Sequence, residues 1–476
     1  MTLVLGLDIG STSTKAALVD VHAGVRVLHL EHRPTPSDPR ALVAVAADAA
    51  RCCALRASSP IAAVGIASMA ESGAVLDADG APLTDLLRWD RAVERAHLDH
   101  LLALRPGLPE TTGVPATTKP AAVGLIALRA EQPALFRAMR HWAGAADMVA
   151  HALTGERVLD HTLAVRTMLA GADGDAWDAE LLDALGIASQ TLPALRAPGE
   201  PAGLTDDGAA AFGLPRGIAV HVAGHDHAVG AWAGGARQPG DAADSLGTAE
   251  AVVRVAEHID RADAVTAGFA VSRTVDGAAR TVLGGSRSCG SLLARWEAEN
   301  TGTIALLADE DPGRWRTSEL TVLPYPEGRQ CPDPDPAAVL HTLGDGDHDA
   351  RARALLQSLV SHARWMRETA DRLAGSPSTS LVLLGSLAHR LRAWPALAAA
   401  AGVPTRLTHA REPVAAGAAL LAAVRENAVS EDATLGAQPV APAVAPGLDD
   451  AHRRFLAAVR DSTGGGAPHR PEEGER

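Results

Sequence analysis

Two α/β domains, the second a diverged copy of the first, are what this sequence predicts. Three observations lead there. At 476 residues the chain is too long for one hydrophobic core. It opens with strands, a helix and another strand, the order of a layered α/β domain. Two short segments also echo each other: Asp8-Ile-Gly-Ser-Thr-Ser-Thr14 and Asp244-Ser-Leu-Gly-Thr-Ala-Glu250 each place an aspartate, a glycine and a threonine at the entrance to a strand.

The elements follow in order. Residues 3–7 and 16–21 are apolar runs around a compact polar turn and predict a hairpin, with 25–30 as a third strand. Alanine-rich residues 40–57 predict a helix, and 61–67 a strand. Helices follow at 121–130, 145–153 before Thr154-Gly155, and 177–185 before Gly186. Residues 218–223 predict a strand running into Gly224-His225-Asp226-His227, then a helix over 228–234. The second half continues with strands at 251–255 and 278–284, a helix at 290–300 and a Pro/Asp-rich loop at 328–336. A long helix at 350–373, a strand at 381–385 and a helix at 412–425 complete it. Residues 430–446 have no period and read as a surface linker, 449–460 as a last helix, and 462–476 as a disordered tail. The domains are expected at 1–241 and 242–430, with 431–476 outside them.

Composition narrows the function. Hydrophobic residues make up 47% but aromatics only 3%, so the core must be packed with Ala, Val and Leu. A formal net charge of -14 argues against a protein that grips nucleic acid by its phosphates. No apolar run approaches the roughly 20 residues of a membrane helix, and Met1 leads straight into a strand, so the expected location is cytoplasmic. The four cysteines, Cys52, Cys53, Cys289 and Cys331, show no metal or redox spacing and read as free thiols. Lys15 and Lys119 are the only lysines; every other basic side chain is an arginine.

The chemistry concentrates at turns. In Gly10, Ser11, Thr12, Ser13, Thr14 and Lys15, small and hydroxyl residues at a tight turn leave backbone N–H groups free to hold phosphate oxygens. Asp8 cannot approach phosphate unaided, which calls for Mg²⁺ between them. The bland alternative is an ordinary hairpin turn. At the second turn, Asp226 is either a reacting carboxylate or the cap of the following helix. His225 and His227 beside it invite a zinc site, yet side chains at i and i+2 in a turn usually diverge, so none is expected.

With these motifs in this order, over roughly residues 1–430, the chain resembles the FGGY family of carbohydrate kinases, within the actin-like (ribonuclease H-like) ATPase fold. The resemblance implies a nucleotide and substrate cleft between two lobes, with ATP and Mg²⁺ as cofactors. It makes Asp226 the catalytic base and a metal neighbour together with Asp8. Ser245, Gly247 and Thr248 become the second phosphate loop, Gly290 the border of adenine, and Gly385 with Ser386 the adenosine turn, where relatives commonly carry two glycines. Polar groups of the first lobe, Glu71, Trp89, Asp90 and Arg91, are the sugar-pocket candidates, and the segment 88–95 also suits an exposed charged helix. Thr118 and Lys119 stand at a helix start where relatives have a similar Thr/Lys pair, and a surface loop is the alternative there. The expected partner is a small sugar or polyol, with a homodimer left open. A kinase of a cyclitol, or a non-catalytic actin-like ATP-binding switch, would share much of this pattern. Retention of both Asp8 and Asp226 favours the enzyme.

Overall fold

The computed structural model describes residues 1–464, organised on two mixed sheets. The first has six strands in the order β3-β2-β1-β4-β6-β5: β1 Leu3–Ile9, β2 Ser13–Asp20, β3 Arg26–Pro34, β4 Ile61–Ser68, β5 Gly203–Leu204 and β6 Ala219–His225. Strands β1, β2 and β3 form an antiparallel meander, and β4 and β6 add in parallel on the other side of β1. The second sheet has seven strands in the order β9-β10-β8-β7-β11-β12-β13. These are β7 Asp241–Leu246, β8 Glu250–Ala256, β9 Ala270–Arg273, β10 Arg280–Ser286, β11 Ser380–Leu384, β12 Thr405–Thr408 and β13 Ala437–Pro439. Its hairpin β7/β8 extends to β10 on one side, while β11 and β12 run parallel to β7 on the other. That is the plan of the first sheet repeated.

The repeat is offset by one residue from the sequence comparison. In the first hairpin the last pair before the turn is Ile9 with Thr14, preceded by Asp8 with Lys15. In the second the last pair is Leu246 with Glu250, preceded by Ser245 with Ala251. Ser245, not Asp244, therefore stands where Asp8 stands. Because neighbours along a strand face opposite ways, Asp244 points into the core with Glu250.

Seven helices matter for the site: α1 Pro39–Ala54, α2 Ala121–Glu131, α3 Asp226–Gly234, α4 Gly290–Glu299, α5 His348–Leu373, α6 Pro413–Arg425 and α7 Leu448–Gly464. Helix α1 begins at an aspartate cap, Asp38, whose carboxylate accepts from the Ala41 N–H, followed by Pro39 in the first turn. It covers one face of the first sheet, with Leu42, Ala46 and Ala50 fully buried. The other face is covered by α6, from the far end of the chain. A Cβ on Gly6 or Gly65 would lie 1.9 Å from the Ala415 or Ala418 carbonyl oxygen, so only glycine lets the α6 backbone rest on β1 and β4. Helix α3 does the reverse, placing Ala231 in a cluster with Ala243, Val382 and Leu384 of the second sheet. The two helices meet back to back, where a Cβ on Gly417 would lie 2.7 Å from that of Ala233.

Residues 430–446 run largely exposed over the surface and are pinned to it. Leu435 is buried, its N–H donates to the Ala233 carbonyl, and β13 pairs with β12 at the sheet edge. The segment lacks a period because it lies along an edge and buries isolated side chains. Helix α7 forms where expected and reaches Gly464, past the predicted start of the tail, with Phe455 and Val459 packed among Tyr325 and Trp365. The rest of that predicted tail lies outside the described residues. All four cysteines are free.

Candidate active site

Strands β1 and β6 flank β4, with Asp8 paired to Ala67 and His225 to Ser68. This register brings Asp8 and Asp226 to the same end of one sheet. At the first turn the Gly10 N–H donates to the Ser13 carbonyl at 3.2 Å, and Thr35 braces the loop by donating its hydroxyl to the Gly10 carbonyl at 2.8 Å. Gly10, Ser11, Thr12 and Ser13 line its surface. Thr14 does not: it is fully buried and its hydroxyl meets that of Thr35 at 2.9 Å, beneath the turn. It lies in β2 with its side chain inward, which excludes it from the expected phosphate contacts.

Lys15 bridges two carboxylates, with Nζ 3.1 Å from Asp8 Oδ2 and 3.1 Å from Glu412 Oε2. Asp8 Oδ1 is buried with no partner. Burial pushes the Asp8 carboxyl up to about 6; Lys15 opposes this, and the charge of Asp226 adds to it.

Asp226 opens α3. Its Oδ1 accepts from the His227 N–H at 2.6 Å and lies 3.1 Å from His225 Nε2 and 3.9 Å from His227 Nε2. Burial works to raise its pKa, but His227, its N–H and Lys15 outweigh it and leave the carboxyl below its usual value. Burial pushes His225 down to about 3, so its ring is neutral. The expectation that the two rings diverge is wrong. Residue 225 is extended and 227 helical, which folds both over one carboxylate, and the three ligand atoms lie within 4.8 Å of one another.

A chain of contacts fixes this turn. Asp160 Oδ1 accepts from the Thr162 hydroxyl at 2.5 Å, and Thr162 Oγ1 accepts from the His225 N–H at 2.8 Å. Gly224, at φ +127°, has no room for a side chain, because a Cβ would lie 2.6 Å from Thr162 Oγ1.

Ser245, Gly247, Thr248, Gly290, Gly385 and Ser386 gather at the corresponding end of the second sheet. The Gly290 N–H donates to the Gly247 carbonyl at 3.1 Å and the Ser291 N–H to that of Thr248 at 3.0 Å, tying the head of α4 to the turn. Gly385 has φ +95° and a Cβ there would meet the Leu246 carbonyl at 2.4 Å, so Ser386 begins its helix directly beside the loop.

Four more predicted residues lie on the first lobe. Glu71, at φ +65°, takes the Arg166 guanidinium at 2.5 Å. Trp89 has Lys119 Nζ 5.1 Å and Arg287 Cζ 5.3 Å from its ring centre. Asp90 is held by Arg88 in a two-pronged pair at 2.9 and 2.7 Å, and Arg88 also donates to the Ser11 carbonyl at 2.6 Å. Arg91 turns instead onto α2, where a Cβ on Gly124 would lie 2.6 Å from its Nη2. The segment 88–93 is not a helix. Sequence reasoning did not single out Arg88, Arg166, Arg287, Gln330 or Glu412 as site residues. Nothing in the local sequence shows that Arg166, Arg287 and Glu412 come close to these groups. A depression of about 860 Å³ lined by His258, Asp263, Arg280 and Arg372 shares none of these residues.

The family model of the N-terminal domain of FGGY carbohydrate kinases matches residues 3–233, and that of the C-terminal domain matches 242–426. The chain belongs to the FGGY family of carbohydrate kinases. Xylulose kinase of Streptomyces rubiginosus is 30% identical over 88% of this chain and 87% of its own. Xylulose kinase of Streptomyces coelicolor is 29% identical over 95% and 93%. Among solved structures, xylulose kinase from Rhodospirillum rubrum superposes with a TM-score of 0.83 at 23% identity, covering 97% of this chain and 99% of that one. That likeness establishes the two-domain fold. This FGGY protein is a sugar or polyol kinase that uses ATP. Among the described residues no helix is long and apolar enough to cross a membrane.

Proposed function

We propose that Asp226 is the base of this kinase, accepting the proton of a sugar or polyol hydroxyl as that oxygen attacks the γ-phosphorus of ATP. Its pKa, held below the ordinary carboxylate value, keeps it ionised at neutral pH. A base that weak takes the proton late, which suits a loose transfer in which the attacking bond forms late. His225 and His227 orient the carboxylate, and the Asp160–Thr162 chain fixes the backbone that carries it.

The observation that carries this reading is that Asp8 and Asp226 lie at one end of the sheet, close enough for their charges to act on each other, with Asp8 Oδ1 buried and unpartnered. A buried carboxylate oxygen without a partner, near a second carboxylate, fits a divalent cation. Asp8 and Asp226 would hold Mg²⁺, which supplies charge neutralisation to the phosphates when bound. The turn Gly10–Ser13 and the loop Ser245–Thr248 would grip the phosphates from the two lobes, and Ser386 and Gly290 would border the base. Xylulose kinases head the relatives, so a five-carbon ketose is the first neutral acceptor to try.

Asp226→Asn tests the assignment. Losing a general base costs about 10²–10⁴ in kcat, with the affinity for ATP in the absence of Mg²⁺ unchanged by equilibrium binding. A variant that kept most of its kcat would remove Asp226 from this role.

A further inference from the structure

Of 43 basic side chains two are lysines, which leaves 41 arginines; Lys15 lies beside Asp8, and Lys119 lies over Trp89. Every other basic position is an arginine, so these two differ in carrying a compact ammonium rather than a planar fork. Lys15 has an evident task between Asp8 and Glu412. Lys119 has no such partner. It precedes α2 and donates to the Gln330 side-chain oxygen at 2.8 Å, a neutral acceptor from the other half of the chain.

Its surroundings are cationic. Arg166 is engaged by Glu71, and Arg287 by Glu327. The remaining pair nearby, Arg88 with Asp90, is internally balanced. Three cations, Lys119 among them, therefore meet two carboxylates around Lys119, which is the one left over. Arg166 Nε and Arg287 Nε are each buried without an acceptor. Burial pulls the Lys119 ammonium down to about 8; Glu71 resists this, and Arg287 and Arg166 reinforce it. Glu71 lies at φ +65°, and Met168, two residues past Arg166, at φ +62°. Glu71 is committed to Arg166 and does not turn to Lys119.

We propose that the acceptor of this kinase is a sugar acid, an aldonate or uronate, whose carboxylate lies against Lys119 and Gln330 while a hydroxyl faces Asp226. The inference rests on the kinase reading above and names its substrate class. One uncompensated positive charge matches a monoanionic carboxylate. A phosphorylated sugar, with about two negative charges at neutral pH, would meet Glu71 and Glu327 with one charge in excess. A neutral sugar would leave Lys119 as it is. Trp89 would pack along the carbon chain.

The test compares matched acceptors with Mg-ATP: D-gluconate with D-glucitol, D-galacturonate with D-galactose, and D-xylonate with D-xylulose, with D-glucose 6-phosphate as the dianionic arm. A charge-assisted hydrogen bond is worth about 10–100-fold, so the best acid should exceed its neutral partner in kcat/KM by that factor. Lys119→Gln should bring the ratio close to one. A second readout needs no turnover. With only two lysines and the N-terminus as amines, acetylation followed by mass spectrometry reports each separately. The bound acid should slow Lys119 labelling and raise the pH midpoint of its reactivity by about one unit or more, whereas a neutral ligand would not shift the midpoint. Preference for a neutral or phosphorylated acceptor, or a midpoint unmoved by any acid, would overturn the proposal and leave the kinase reading standing. Failure of every acceptor to release ADP would overturn both.

Discussion

Lys15 and Glu412 meet at 3.1 Å, joining the second strand of the chain to the head of α6. The same ammonium holds Asp8, so two acids compete for one cation. Lys15→Met and Glu412→Gln should act in opposite directions on Asp8. Without Lys15 its carboxyl rises further above about 6; without Glu412 it falls. The acid limb of kcat/KM for ATP, followed between about pH 5 and 8, should therefore move up in the first variant and down in the second. Shifts of the same sign would separate Asp8 from that limb.

Asp8 is also a cost to the fold. Its native pKa of about 6 lies above the ordinary value of 3.8, so the native state holds the proton more tightly. Stability is greatest below the unfolded value and is lost as pH rises through the folded one, by about 3 kcal/mol in total. Asp8→Asn should raise the thermal midpoint of the ligand-free protein at pH 8, with the advantage vanishing near pH 4, while abolishing turnover. Melts of the two proteins at several pH values check it.

Thr162 acts through the backbone of residue 225. Thr162→Val would leave a buried N–H without its acceptor, a loss of about 1–3 kcal/mol. Because Asp226 follows directly, kcat should fall about tenfold while the KM for ATP holds, and Thr162→Ser should restore it. Equal losses in Val and Ser would point to packing rather than positioning.

Gly65→Ala places a methyl carbon 1.9 Å from the Ala418 carbonyl. Neither the strand nor the helix backbone can yield that much, so destabilisation should exceed the roughly 1–3 kcal/mol of ordinary overpacking. Denaturant unfolding gives the number. A loss under about 1 kcal/mol would mean α6 is free to lift.

Much of this was legible in the chain. The first hairpin showed because two apolar runs enclose a turn of glycine and hydroxyls, and Asp226 showed because it ends a buried strand. The second turn was legible in composition but not in register. Which face Asp244 takes depends on where the hairpin closes, and a one-residue choice sends it inward with Glu250. Thr14 looked like its three neighbours and differs only in pointing down. The partners Glu412, Arg166 and Gln330 were hidden for another reason: each meets its target through the packing of segments distant in the chain, which no local pattern encodes. Residues 437–439 carry no strand pattern of their own and pair because β12 offers them an edge.

Helix α6 covers the sheet that the first 68 residues largely build, yet it is made only at residues 413–425. A ribosome must therefore synthesise most of the chain before Val4, Ala17, Val19 and Ala63 lose contact with water. Until then the nascent first half presents an open apolar face, a natural station for a holding chaperone. Cutting the gene between the two matched regions would give fragments that each lack the other's lid, soluble together and sticky apart.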